Sequence, residues 1–156
     1  MNFAEKAKII PLLTSANIGA STDLDSINVS NAHSVTFIFT CGATTGDVTF
    51  SFSSGTDAGT KTTAVPFSYA MGGAAIGTAV AGSAASCDVL GATGSATSTQ
   101  ALTCTTKMVV CEVDCSAITN GHSWLTGTVA ATAGIVHAVA IVQPRFTGNR
   151  SATMLA

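Results

Sequence analysis

The chain has 156 residues and a formal net charge of −2; 47% of its residues are hydrophobic and 9% are charged. That length fits one domain with its own core, and that hydrophobic content excludes ordinary disorder. The six cationic residues are scattered, which argues against a nucleic-acid partner bound by phosphate neutralisation. Charged residues this few cannot cover the surface of a monomer at the usual density. We therefore expect neighbouring chains to cover much of the surface; the alternative is a domain solubilised by hydroxyl groups.

The sequence predicts neither a secretion signal nor a membrane span. The apolar run at residues 9–13 is short and is interrupted by Pro11, unlike the core of a signal peptide. Residues 69–86 are uncharged, but four glycines interrupt them and few of their side chains are large. A spanning helix needs about 20 predominantly apolar residues. We therefore expect no membrane partner.

The N-terminal part, residues 1–20, is predicted to be an edge strand or an arm lying on a partner, because Pro11 lacks a backbone donor. Asp23 and Asp25 follow as a D-x-D pair. Such a pair could bind a cation, but the glycine and final glutamate of a calcium loop are missing. Two turn-forming aspartates are the favoured interpretation.

Residues 34–54 contain two alternating runs separated by a Gly-containing loop. Each run would place apolar side chains on one face and mostly hydroxyl groups on the other. Two such runs joined by a turn-rich loop predict a β-hairpin with one buried face. Five of the seven phenylalanines lie in or just beyond this hairpin, so we expect it to be the main wall of the core. They are Phe37, Phe39, Phe50, Phe52 and Phe67.

The middle of the chain is harder to interpret. Residues 64–71 predict a strand, in which Pro66 favours an edge position or a bulge. From residue 72 to residue 106 large side chains are nearly absent. We expect long loops with brief strands there, and loops of that length usually make contacts.

Residues 107–115 alternate and predict a strand whose polar face carries Glu112 and Asp114. Neighbouring carboxylates on one strand face are about 7 Å apart, within the range of an inverting glycosidase pair. No nearby group is expected to raise one pKa, and no aromatic platform accompanies the pair. A solvated strand face is therefore the favoured interpretation.

Two further strands are predicted towards the C-terminus, at residues 124–129 and 134–142, after a turn at Asn120 and Gly121. Residues 134–142 are apolar on both faces, which predicts a central strand packed on both sides. His137 interrupts this run. We interpret it as a hydrogen-bonded core or interface histidine, since no motif supplies it with a nucleophile.

The five cysteines suggest small buried thiols and not a disulfide framework, because their number is odd and no secretion signal is expected. The three histidines are scattered, and no zinc spacing occurs. No nucleophile elbow, P-loop or dinucleotide motif is present either. We predict a non-enzymatic chain without a metal or other cofactor. The cysteines are Cys41, Cys87, Cys104, Cys111 and Cys115.

Roughly eight strands and no convincing long helix predict an all-β fold, an antiparallel β-sandwich of jelly-roll or immunoglobulin-like type. The expected organisation is an N-terminal arm or edge strand at residues 1–20, the sandwich at 21–142 and a C-terminal arm at 143–156. The tail carries apolar groups that need another surface to rest on.

Three segments carry a resemblance to a known family. They are MNFAEKAKIIPLL at the N-terminus, PFSYAMGGAAIG in the middle and IVHAVAIVQPRF near the C-terminus. In these segments and their order the chain resembles small virion proteins of tailed bacteriophages, in particular the head decoration, or cement, proteins.

The resemblance implies a β-sandwich that assembles as a homodimer or homotrimer on the capsid exterior and bridges subunits of the major capsid protein. No catalytic residue is implied. Many modest interfaces would then add up over a symmetric shell. We expect both ends of the chain to make the contacts with capsid or with other copies. The predicted interface residues are Phe3, Ile9, Ile10, Leu12, Leu13, Arg145, Phe146, Met154 and Leu155.

Two alternatives remain. The first is another virion structural role, in the tail tube, a tail fibre or a head fibre. The second is a carbohydrate-binding β-sandwich displayed on the virion, for which Trp124 and Tyr69 are the aromatic candidates.

Overall fold

The computed structural model describes residues 7–79, 85–145 and 155. In these residues twelve strands form two antiparallel sheets packed face to face, which confirms the predicted all-β sandwich. The sheet that we call the front sheet contains, in spatial order, β1 (Lys8–Asn17), β12 (Ala133–Pro144), β4 (Ala32–Thr45), β10 (Met108–Asp114), β7 (Phe67–Gly72) and β8 (Leu90–Ala96). The back sheet has β11 (Trp124–Ala130) and β5 (Val48–Gly55) at its centre, flanked by β2 (Thr22–Asp23) and β3 (Ile27–Asn28) on one side and by β6 (Thr63–Ala64) and β9 (Thr99–Leu102) on the other.

The order of pairing distinguishes between the two predicted sandwich types. The first strand pairs with the last, β1 with β12, and the second group, β2 and β3, pairs with β11. Further inwards, β4 pairs with β10, and β5 pairs with β6 and β9. This is one long antiparallel hairpin rolled up so that successive pairs alternate between two sheets. It is the pattern of a jelly roll.

The predicted hairpin at residues 34–54 is wrong. Its two runs are strands, β4 and β5, but they lie in opposite sheets. β12 and β10 occupy both edges of β4, while β11 occupies an edge of β5. The connection at Gly46, whose φ is 75°, therefore turns the chain from the front sheet to the back sheet.

The phenylalanines of these two strands are core residues, as predicted, but they face each other across the core instead of forming one wall. Phe37 and Phe52 have ring centroids 4.5 Å apart, and Phe39 and Phe50 have centroids 4.7 Å apart. Phe67 extends the cluster with an edge-to-face contact to Phe52 at 4.8 Å, a favoured geometry for aromatic pairs. Crossing between sheets thus brings both aromatic faces together across the core.

The segment predicted as long loops with brief strands contains two short strands, β8 and β9. After β6 in the back sheet the chain enters the front sheet as β7, which pairs with β8, and β9 lies in the back sheet again. Pro66 lies where the chain changes sheets. Small residues suit the β7–β8 pair because the Tyr69 ring occupies the space beside Gly94, where a Cβ would lie 2.5 Å from the Tyr69 hydroxyl.

The N-terminal segment forms the edge strand of the front sheet. β1 runs in register with β12 from Lys8 opposite Val142 to Asn17 opposite Ile135, with two register shifts. Pro11 is accommodated because β1 has a sheet neighbour on one side only. Residues 8–17 are thus integrated into the sandwich.

Candidate interaction surface

An aliphatic stripe crosses the outer face of the front sheet. Five residues in register on five neighbouring strands form it, and all are half-buried or exposed. At the strand spacing of a sheet the stripe is about 19 Å long. It consists of Pro11, Val139, Ile38, Val110 and Ala70.

The rows beside the stripe are also poor in charge. On one side Ile9, which is 54% exposed, lies opposite Ile141, and the row continues through Thr36 to Glu112. On the other side His137, Thr40 and Met108 are in register. Glu112 is the single charged residue in these rows and the stripe, so on β1, β12 and β4 these three rows are uncharged and mostly aliphatic.

The prediction that residues 134–142 pack on both sides is only half right. The inner face of β12 is fully buried, but its outer face is not: Ile135 is 48% exposed, while Val139 and Ile141 are half-buried. Both faces of this strand carry aliphatic side chains, but only the inner face is buried in the core. His137 lies on the uncovered face, in keeping with the interface alternative for this residue.

The outer face of the back sheet has the opposite character. Thr49, Ser51 and Ser53 alternate outwards along β5, and Thr126 and Thr128 of β11 lie opposite two of them. Part of this face is covered by the chain itself, since Ser26 and Thr126 are buried and their hydroxyl oxygens lie 2.7 Å apart. The central strand β5 of the back sheet therefore presents hydroxyl groups, whereas the stripe on the front sheet presents hydrocarbon.

Two shallow clefts, of about 560 and 610 Å³, lie on the outer face of the front sheet, and the larger one is lined in part by Val110 and Ala70 of the stripe. They share Ser68, Ser95 and Glu112 as lining residues. Every buried side-chain nitrogen or oxygen in the described part of the chain has a hydrogen-bond partner. No orphaned polar group there marks a place for a ligand.

The predicted interface residues of β1 fall into two sets. Ile10 and Leu12 are buried and belong to the chain's own core, so they are not available to a partner. Leu13 is half-buried against that core. Ile9 points the other way and is exposed beside the aliphatic stripe.

The C-terminal interface residues are less completely described. Arg145 is anchored to the sandwich: its backbone N–H donates to Asn31 O at 2.7 Å, and its Nε donates to Ala32 O at 2.9 Å. Leu155 pairs with Ile27 and packs against the core. Three predicted interface residues lie outside the described part of the chain: Phe3, Phe146 and Met154.

The carboxylates on β10 are exposed, as predicted. Asp114 accepts a hydrogen bond from the backbone N–H of Ser116 at 2.8 Å and caps a 3-10 turn at Cys115–Ala117. That bond lowers the pKa of Asp114. A general acid needs a raised pKa, so this carboxyl acts as an ionised cap.

A serine–histidine contact was missed by sequence reasoning, since its members are far apart and match no motif. Ser54 Oγ lies 2.9 Å from Nδ1 of His122. Ser54 is fully buried, so a substrate carbonyl cannot reach its hydroxyl. The contact ties the end of β5 to the predicted turn at Asn120 and Gly121, where the backbone N–H of His122 donates to Thr119 O.

The aromatic candidates for a glycan platform lie on different sheets. Trp124 is half-buried on β11 of the back sheet, while Tyr69 packs against Gly94 in the front sheet. They cannot form one binding surface.

The D-x-D pair does not hold its two carboxylates together for a cation. Asp23 accepts two hydrogen bonds from Lys61 Nζ, both 2.8 Å, and one from Thr128 Oγ1 at 2.7 Å. No cluster of potential metal ligands occurs within residues 7–79, 85–145 and 155. Lys61 supplies the positive charge in this place and ties β2 to the loop after β5.

The ion pair between Asp23 and Lys61 makes the free energy of unfolding depend slightly on pH. Its hydrogen bonds to Lys61 and then Thr128 lower the pKa of Asp23. The stabilisation is therefore present above the unfolded pKa, near 3.9, and is lost as the pH falls through the lower folded value. Because both side chains are partly exposed, we expect a loss of about 0.2–1 kcal/mol in the free energy of unfolding.

Urea unfolding of the wild type and two variants at about pH 6 and about pH 2.5 would measure this contribution. Asp23→Asn should show a smaller decrease on acidification than the wild type, whereas Asp25→Asn should match the wild type. An undiminished decrease in Asp23→Asn would contradict the assignment.

No protein-family model, curated protein or solved structure matches the chain. Among the described residues, no helix has the length and apolar character that crossing a membrane requires.

Proposed function

We propose that this chain is a virion structural protein, a capsid decoration or cement protein that docks on the outer surface of a phage head. The observation that carries the proposal is the aliphatic stripe on the outer face of the front sheet. Its occupant is the major capsid protein, and the homodimer or homotrimer joins several such contacts. The segment resemblance to head decoration proteins supplies the choice of partner.

The energetic argument rests on hydration. Each aliphatic side chain that passes from exposed to buried contributes about 1.5–3 kcal/mol, and a half-buried one contributes less. A stable protein interface covers about 800 Å² on each partner. The front sheet has six strands about 4.8 Å apart, each about seven residues long, so its projected area is about 700 Å². This area is close to that requirement. The front sheet is therefore large enough to bind a partner without help from the back sheet.

The jelly-roll topology also supports the proposal, since viral capsid proteins are among the proteins that use this architecture. Lectins use it as well. For a lectin, however, the described aromatics give no shared platform, and the outer face of the front sheet is aliphatic where a sugar needs hydrogen bonds. The docking role makes better use of the surface that this chain presents.

A charge placed in the stripe would test the proposal. Ile38→Lys should reduce binding to capsid at least tenfold, because docking would bury an unpaired ammonium group. Ile38 is half-buried on the outer face, so a lysine can extend into water in the free protein and the melting temperature should change little. Ser51→Lys is the matched control, at a half-buried outward position on the central strand β5 of the back sheet.

The measurement is cosedimentation of each variant with heads assembled from the major capsid protein of the phage that encodes the chain. Sedimentation velocity without heads would report self-association. If Ile38→Lys still binds heads but Ser51→Lys does not, the interface lies on the back sheet. A wild-type chain that ignores heads would overturn the decoration role, and rings or tubes formed by the chain alone would favour a tail-tube subunit.

A further inference from the structure

Two buried thiols are in direct contact at one end of the sandwich core. Cys41 Sγ and Cys104 Sγ lie 2.8 Å apart, and the two residues are 1% and 0% exposed. Cys41 belongs to β4 in the front sheet. Cys104 belongs to the segment that leads from β9 in the back sheet to β10 in the front sheet.

Backbone hydrogen bonds fix both residues in place. The N–H of Cys41 donates to Lys107 O at 3.0 Å, and the N–H of Thr106 donates to Gly42 O at 2.9 Å. The N–H of Lys107 also donates to Cys104 O at 2.9 Å, which closes a turn around Thr106, where φ is 54°. The two sulfurs are thus held together by the fold and not by chance contact of mobile side chains.

We propose that Cys41 and Cys104 are the site of a reversible intrachain disulfide, formed when a peroxide oxidises the folded chain. A disulfide bond is about 2.05 Å long, so the sulfurs must approach each other by only about 0.8 Å. Side-chain rotation supplies a movement of that size without unfolding either sheet. Because both thiols are buried, we propose a peroxide, which is much smaller than a disulfide reagent, as the oxidant.

The two thiols have different roles in this reaction. The hydrogen bond between the two thiols lowers the pKa of Cys104, while burial and the Asp47 carboxylate oppose this effect. The same bond raises the pKa of Cys41. We assign the first attack to Cys104 on this difference, and the disulfide that results is the same if Cys41 attacks first. Burial raises the pKa of Cys111 to about 12 and that of Cys115 to about 11, so these two thiols compete poorly.

Oxidation of the two thiols takes two reactions. The Cys104 thiolate attacks one oxygen of hydrogen peroxide, the O–O bond breaks, and a sulfenic acid and hydroxide form. Cys41 then loses its proton and attacks the sulfenic sulfur, which expels a second hydroxide. In total, two thiols lose two electrons and two protons, and one peroxide becomes two waters. A thiol reductant reverses the bond by exchange.

The bond would join a strand of the front sheet to the crossover from the back sheet. Such a link restricts the unfolded chain over the long loop between residues 41 and 104. We expect oxidation to raise the melting temperature by on the order of 10 °C, and we expect reduction to restore the original value.

Trypsin offers a direct assay. Cleavage after Lys8, Lys61 and Lys107 places Cys41 in the peptide 9–61 and Cys104 in the peptide 62–107. Cys87 lies in the second peptide too, so the assay uses the full-length Cys87→Ser chain. After peroxide treatment of the folded protein and alkylation of the remaining thiols, mass spectrometry should find the two peptides linked, with two hydrogens lost.

Two further variants, both made in the Cys87→Ser chain, act as controls. Cys41→Ala should abolish the link and the rise in melting temperature, and Cys115→Ala should leave both intact. If Cys41→Ala fails to fold, the peptide map of the Cys87→Ser chain still decides the matter. Separate peptides with both thiols alkylated would overturn the proposal, as would a link to the peptide 108–145, which carries Cys111 and Cys115.

Discussion

Replacing Phe52 with alanine is expected to lower the free energy of unfolding by about 3–5 kcal/mol, the range for truncating a buried phenylalanine. Phe52 is fully buried at the meeting point of the two sheets. The centroid of its ring lies 4.5 Å from that of Phe37 and 4.8 Å from that of Phe67, both in the front sheet. Alanine would leave a cavity that neither β-sheet can close, because both are held by their own backbone hydrogen bonds.

The matched control for this prediction is Ser53→Ala. Ser53 is the next residue on β5 and is only half-buried on the outer face of the back sheet, so its truncation should cost no more than about 0.5 kcal/mol. Chemical denaturation monitored by tryptophan fluorescence would give both values. A loss below about 1 kcal/mol for Phe52→Ala would show that the aromatic contacts do not hold the sheets together.

Replacing Gly55 with alanine is expected to cost about 1–3 kcal/mol or more, through overpacking instead of a cavity. A Cβ at this position would overlap the backbone carbonyl group of Thr60. That loop cannot withdraw freely, since the N–H of Thr60 donates to Asp57 O at 3.1 Å and the N–H of Thr62 donates to Ser54 O at 3.0 Å.

Gly91→Ala provides the comparison for this second variant. A Cβ on Gly91 would meet nothing within 4 Å. Alanine there should be neutral or should stabilise the fold by a few tenths of a kcal/mol, because it lowers the conformational entropy of the unfolded chain. Thermal and urea unfolding of both variants would test the difference. Equal melting temperatures for the two would show that the loop around Thr60 adapts without cost.

Alternation predicted which residues are buried better than it predicted which strands are neighbours. The exposed carboxylates of β10 and the buried phenylalanines of β4 and β5 followed from side chains that alternate between two faces. The pairing of β4 did not, because two consecutive strands can either form a hairpin or face each other across a core, and both arrangements bury the same phenylalanines. Distant strands, β12 and β10, decide between them by occupying the edges of β4.

The interaction surface was only partly predictable for a related reason. The aliphatic residues on both faces of β12 were evident, but the sequence does not say whether the same chain covers the second face. Ile10 and Leu12 illustrate the reverse case, since apolar residues near a chain end were interpreted as contacts for a partner and instead fill the core. The contacts between Cys41 and Cys104 and between Ser54 and His122 join distant positions, and only the fold brings them together.

The pairing of β1 with β12 also has a consequence for folding. Strands β2 to β11 lie between these two in the sequence, yet Ile10 and Leu12 are buried where β1 runs along β12. Contacts between strands so far apart in sequence carry a large loop-closure entropy and form slowly. We therefore expect the β1–β12 edge to be among the last parts of the sandwich to gain protection from hydrogen exchange during refolding.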